Sequence, residues 1–142
     1  MSWGATDGSY TYFEHDADVG VIGRGATLER ALEAAARATF AIMTELELVR
    51  PLETVAIEFE ELDEEFALVR WLNLLLAAAR ERSMVFGQFR LARDGGRWRG
   101  EAAGEAWRPD LERGVEVKGA TLTELSVRAQ DEGWEARCVV DV

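Results

Sequence analysis

The sequence predicts an α+β fold, two long helices packed on one side of a mostly antiparallel sheet. Apolar residues recur at helical spacing through 28–44 and again from residue 64 onward, whereas the segments beyond residue 83 alternate apolar and polar. No fixed-period repeat, low-complexity tract or linker divides the 142 residues, so one domain over 10–142 is expected behind a flexible start at 1–9.

Residues 1–9 are rich in Gly, Ser, Thr and Asp and are expected to fray. Tyr10-Thr11-Tyr12-Phe13 reads as a short strand, followed by Glu14-His15-Asp16-Ala17-Asp18 and the apolar segment Val19-Gly20-Val21-Ile22. Thr27 is placed to cap a helix, with Glu29 favourable to its dipole. Ala31, Leu32, Ala35, Thr39, Ile42 and Met43 give that helix, 28–44, one apolar stripe, and Pro51 closes the connection after it. Val55, Ile57 and Phe59 alternate with polar neighbours as in a half-buried strand. Asp63 caps the second helix, whose inner face is predicted as Phe66, Val69, Leu72, Leu76 and Ala79, widened by Leu68, Trp71 and Leu75. Strands at 84–93 and 97–107 flank the hairpin signal Asp94-Gly95-Gly96. A loop from Arg108 to Gly114 precedes strands near 115–119, 123–130 and 134–141, the last alternating Trp134, Ala136, Cys138 and Val140 inward.

Composition excludes several functions. Hydrophobic residues make up 48% and charged residues 30%, a globular balance rather than a disordered one. No apolar run approaches the ~20 residues of a membrane span, and the N-terminus lacks a signal-like apolar region, so a cytoplasmic protein is the default expectation. Cys138 is the only cysteine, which removes internal disulfides and cysteine-based clusters. The net charge is −11, with Lys118 the only lysine and the arginines scattered among carboxylates. Tight nucleic-acid binding requires clustered cations and is not expected; a cation site or a basic protein partner is.

Three places could carry chemistry. Glu14-His15-Asp16-Ala17-Asp18 gathers three carboxylates and the only histidine at a strand junction. Hard divalent cations favour such oxygen donors; the alternative is a solvated acidic turn. At the C-terminus, Val140-Asp141-Val142 sets a side-chain carboxylate beside a main-chain one. In Glu116-Val117-Lys118, a strand would put Glu116 and Lys118 on one face, as an exposed pair or with the lysine bridging to the acidic cluster. A Cys138–His15 nucleophilic pair is conceivable, but Cys138 lies on the apolar phase of its strand. Most of the tryptophans fit packing; Trp107 is left open as a contact residue.

Taken together, these motifs resemble the archease family. Glu14-His15-Asp16-Ala17-Asp18-Val19-Gly20-Val21 is similar to its E-H-T-A-D-[VI]-G-[IV] opening, and Phe40-Ala41-Ile42-Met43-Thr44 to the end of its first helix. Trp71-Leu72-Asn73-Leu74-Leu75, Val85-Phe86-Gly87-Gln88-Phe89, Gly104-Glu105, Glu116–Thr121 and Val140-Asp141-Val142 follow in the family's order. The resemblance implies nested strand-helix-strand-strand modules. It also implies a non-catalytic protein that activates an RtcB-type RNA ligase in tRNA splicing and RNA repair, promoting guanylylation of the ligase and its turnover. It further implies a divalent cation, calcium or alternatively magnesium, held by Asp18, Asp141 and Val142, with His15, Asp16, Glu105, Glu116 and Lys118 as supporting candidates. Two departures stand out: Asp16 replaces the family threonine, and Leu122-Thr123 replaces a Tyr-His pair. The competing readings are a chaperone-like acidic binding module and, more remotely, a metal-dependent hydrolase using Asp18 and Asp141.

Overall fold

The structure is a computed structural model that describes residues 8–142. Of the start expected to fray, residues 1–7 lie outside the described residues, and Ser9 already opens a strand.

The element order is β1 (Ser9–His15), β2 (Asp18–Gly25), α1 (Leu28–Ala41), a short 3-10 turn (Leu46–Leu48), β3 (Glu53–Glu60), α2 (Glu64–Arg82), β4 (Met84–Asp94), β5 (Arg97–Ala106), β6 (Gly119–Ala120), β7 (Ser126–Gln130) and β8 (Gly133–Asp141). The expected α+β class holds, but the strands form two sheets rather than one. In the first, β1-β2-β8-β6 are neighbours and β7 also pairs with β8; the second has the order β3-β5-β4. Every pairing is antiparallel. The module β3-α2-β4-β5 thus closes its own sheet and is inserted between β2-α1 and the strands β6 to β8, a nested arrangement.

Local chemistry sets the helix starts. The Thr27 hydroxyl accepts the Arg30 N–H at 3.1 Å, and the Asp63 carboxylate accepts those of Glu65 and Phe66 at 2.9 Å, relieving donors that a first turn leaves unpaired. α1 stops at Ala41, before the expected 44, because the Phe40 carbonyl accepts from both Met43 and Thr44, and the chain leaves through a turn.

α1 is not a surface helix with a single stripe. Leu28 and every residue from Ala31 to Phe40 are buried, because the helix lies against the first sheet and also against β4 of the second. Its alanines permit close packing on both sides. Gly23 of β2 lies against the α1 backbone at Ala31 and Ala35, where a Cβ would collide. Tyr12 Oη donates to the Ala38 carbonyl at 2.7 Å, and Trp71 Nε1 of α2 to that of Leu32 at 3.1 Å, so main-chain oxygens of α1 anchor both β1 and α2.

The inner face of α2 is rotated from the predicted one. Ala67, Leu68, Trp71, Leu72, Leu75, Leu76 and Ala79 are buried, Phe66 is exposed and Val69 is only half-buried. Phe66 follows the cap too closely to reach the core, and the small Ala67 takes the inward position. Ser83 ends the helix in the left-handed region at φ 53°. The β4–β5 hairpin forms at the expected place, with Gly95 at φ 62° in its turn. The strand expected near 115–119 shrinks to Gly119–Ala120, because Gly114 and Val115 bond instead to the carbonyls of Met43 and Ile42 at the end of α1.

Candidate metal corner

The β1–β2 hairpin turns on Asp16-Ala17, with His15 opposite Asp18. Asp16 sits in the left-handed region at φ 52°, which aspartate tolerates and a β-branched threonine resists. The departure from the family threonine therefore suits the turn.

β2 pairs with β8 up to Val19 opposite Val140, so the first acidic segment and the chain's last residues share one end of the sheet. The Val142 N–H donates to Asp18 Oδ1 at 3.3 Å, a direct contact between residues 124 positions apart. On the other side of β8, Gly119 faces Asp141, and the Lys118 N–H donates to the Asp141 carbonyl at 2.8 Å. Asp18 is half-buried and Asp141 exposed. Among the described residues neither carboxylate has an arginine or lysine partner, in a chain where most arginines meet an acid.

The supporting candidates fall in different places. His15 Nδ1 lies 4.0 Å from Asp16 Oδ2, and the Asp16 side chain is fully exposed. Lys118 reaches the corner with its main chain; its ammonium makes no ion pair among the described residues. Glu105 belongs to the three-stranded sheet. Its buried carboxylate accepts from the Arg50 N–H at 2.7 Å, from Arg50 Nη2 at 2.8 Å and from Arg108 Nε at 3.0 Å. The Arg50 bonds and the neighbouring Arg108 hold its pKa down at about 2. Glu116 is exposed beside a cleft between the helix ends and bonds neither Asp18 nor Asp141. Cys138 is fully buried opposite Val21, and burial pushes its thiol up to about 12, so a Cys138–His15 nucleophile has no support.

Asn73 was not foreseen. Its carboxamide brackets Ala120, accepting from the N–H at 2.8 Å and donating to the C=O at 3.2 Å, and so stands where a further strand would pair with β6. Only its polarity within the apolar Trp71–Leu75 stretch hinted at such a role.

Comparison with known proteins fixes the family. The model of the archease protein family matches residues 10–142. The chain belongs to the archease family. The archease of Sulfolobus acidocaldarius is 35% identical over 138 residues, covering 94% of this chain and 98% of that one. The solution structure of Methanobacterium thermoautotrophicum protein 1598 superposes with a TM-score of 0.84 at 30% identity, over 94% of this chain and 99% of that one. The crystal structure of an archease from Thermotoga maritima, described as a possible chaperone, has the same fold, with a TM-score of 0.64 at 19% identity over 92% and 94% of the two chains.

Among the described residues, no three His, Cys, Asp or Glu side chains converge on one point. The residues of the corner carry two carboxylates, Asp18 and Asp141, and the Val142 carbonyl, with the Val142 N–H on Asp18 as the contact between them. That is an all-oxygen set without a competing basic side chain, which suits a hard cation completing its shell with water.

Proposed function

We propose that this chain is a non-catalytic activator of an RtcB-type RNA ligase in tRNA splicing and RNA repair, and that its acidic corner is the part the ligase engages. The observation that supports this reading is the contact of Asp18 with Val142, which joins the two acidic ends of the sequence into one feature. The class of ion follows from the donors: oxygens alone favour calcium, or magnesium with more water retained. A bound divalent cation would supply the positive charge that lets Asp18 and Asp141 sit together. Asp18 then orients the last residues of β8 through the Val142 N–H, and Lys118 fixes the Asp141 carbonyl. Guanylylation depends on how metals and phosphates are positioned, so a partner that orders the ligase's mouth can accelerate it without a reacting group of its own. Complementary charge between an acidic protein of net charge −11 and a basic nucleotide-binding cleft would steer the encounter.

The test is ligase guanylylation with the wild-type chain and with Asp18→Ala. The wild type is expected to raise the rate and Asp18→Ala to lose most of that gain; a wild-type protein that leaves the rate unchanged refutes the proposal.

The description of the Thermotoga maritima relative as a possible chaperone favours a second reading, an acidic module with many clients. Affinity capture separates the two, since the activator reading requires one dominant ligase partner. No helix among the described residues is long and apolar enough to cross a membrane, and the reading places the chain in the cytoplasm with its ligase.

A further inference from the structure

Away from the acidic corner, a cleft of about 450 Å³ opens between the end of α1, the last turn of α2 and the strip 113–118. Its floor is apolar, with Met43, Leu76 and Met84, and Trp107 forms one wall. Two methionines give such a floor adaptable shape. The Arg113 guanidinium lies 4.1 Å from the centre of the Trp107 ring, and Arg80 reaches across to donate to the Lys118 carbonyl at 3.1 Å. Most arginines of this acidic chain sit against a carboxylate; among the described residues Arg80 and Arg113 do not, and neither does Lys118. Two of the guanidinium groups left without an acid, Arg80 and Arg113, thus line one apolar opening, whereas Arg70 lies over the Phe59 ring elsewhere.

The strip beside it is also incomplete. Gly114 and Val115 donate to the end of α1, and Lys118 donates to Asp141, but between them the N–H groups of Glu116 and Val117 and the carbonyls of Val115, Glu116 and Val117 have no partner among the described residues. Glu116 is exposed, so its donor and acceptor are open to an added strand. The contrast with Ala120 is informative. There the Asn73 carboxamide satisfies both main-chain groups, whereas the neighbouring strip has no such plug. Unpaired backbone that leads into a strand beside an apolar pocket can take up a peptide as an extra strand, with main-chain bonds for affinity and the pocket for specificity.

We propose that this cleft docks an extended acidic segment of a partner protein, which pairs its backbone with Glu116, buries one bulky apolar side chain against Met43, Met84 and Trp107, and sets a flanking carboxylate on Arg80 or Arg113. The assignment does not depend on which protein meets the acidic corner. Guanidinium forks match carboxylates in two-point geometry, which selects acidic sequences over basic ones.

A displayed library of random heptapeptides, selected on the whole chain, tests it. Enriched sequences should place Asp or Glu next to Leu, Phe, Met or Trp. A synthetic copy of the best clone should shift the Glu116 amide resonance, and methylating its central amide nitrogen should weaken binding about tenfold. Arg113→Glu should weaken it at least tenfold with an unchanged circular dichroism spectrum, since its guanidinium makes no ion pair among the described residues and stacks on the Trp107 ring, and Arg80→Glu provides a second, independent loss. No enrichment, basic consensus sequences, undiminished binding to Arg113→Glu, or a Glu116 shift reproduced by octanoate alone would each overturn the assignment.

Discussion

At the scale of single residues, two carboxylates show how environment assigns different work to one functional group. Asp18 is half-buried, accepts one main-chain N–H and has no basic partner among the described residues; Glu105 is buried and saturated by Arg50 and Arg108. Replacing Asp18 with Asn keeps an oxygen for the Val142 N–H but removes the charge. Calorimetry should therefore find calcium uptake at least tenfold weaker, while the chelated protein unfolds within about 0.5 kcal/mol of wild type. For Glu105 the expected signature is stability against pH. Its carboxyl is held at about 2 in the fold, below the ordinary 4.5, so the unfolded chain binds the proton more readily. The stabilisation is complete above about pH 4.5 and fades as pH falls through 2. Urea titrations of Glu105→Gln should show a loss of about 1–3 kcal/mol at neutral pH that narrows across that acid window. A gap that stayed constant down to pH 2 would mean the arginines do not act through charge. The sequence suggested Glu105 as a support for the cation because Gly104-Glu105 stood out as a motif; its partner Arg50 is 55 residues away, and nothing local marks the pair.

At the scale of elements, helix caps and hairpins were legible because their causes lie within a few residues. Thr27, Asp63 and Gly95 each act on neighbours in the chain. Helix faces were less so. The spacing of Phe66, Val69, Leu72, Leu76 and Ala79 fits a helical stripe, but the burial of α2 centres on Leu68, Trp71, Leu72 and Leu75. Periodicity finds a stripe; it does not weigh a large side chain at the first turn against a small one that fits. A pair of substitutions measures the difference. Leu72→Ala should cost about 2–5 kcal/mol in chemical denaturation, as expected for a fully buried leucine, whereas Phe66→Ser should stay within about 0.5 kcal/mol. Comparable losses at the two sites would restore the predicted face. α1 departed in another way: one apolar stripe through Ala31, Leu32 and Ala35 was expected, yet Ala34, Ala36 and Ala38 outside it are buried too, because the helix lies between two sheets.

At the scale of the molecule, what the sequence could not convey was which strands are neighbours. Alternation marks a strand's buried face and leaves its partner open. β2 and β8 lie at opposite ends of the chain, and the whole β3-α2-β4-β5 module folds between them as a separate sheet. That nesting brings Asp18 to Val142 and makes a corner out of two sequence features that are weak apart. It also distributes charge. The solvent face of the three-stranded sheet carries matched pairs, Arg97 with Glu60 and Arg99 with Glu58, whereas the corner keeps Asp18 and Asp141 without such neighbours among the described residues. The excess of −11 is thus presented unevenly, and a basic partner should be drawn to the corner. Stopped-flow association with the ligase should slow roughly tenfold as ionic strength rises from about 0.02 to 0.3 M, because the Debye length shrinks below the separation of the two surfaces. Neutralising both corner carboxylates with Asp18→Asn and Asp141→Asn should flatten that dependence, while dissociation changes less. If the salt dependence survives in the double variant, steering comes from the overall charge of the chain and the corner is not the surface that the ligase meets first.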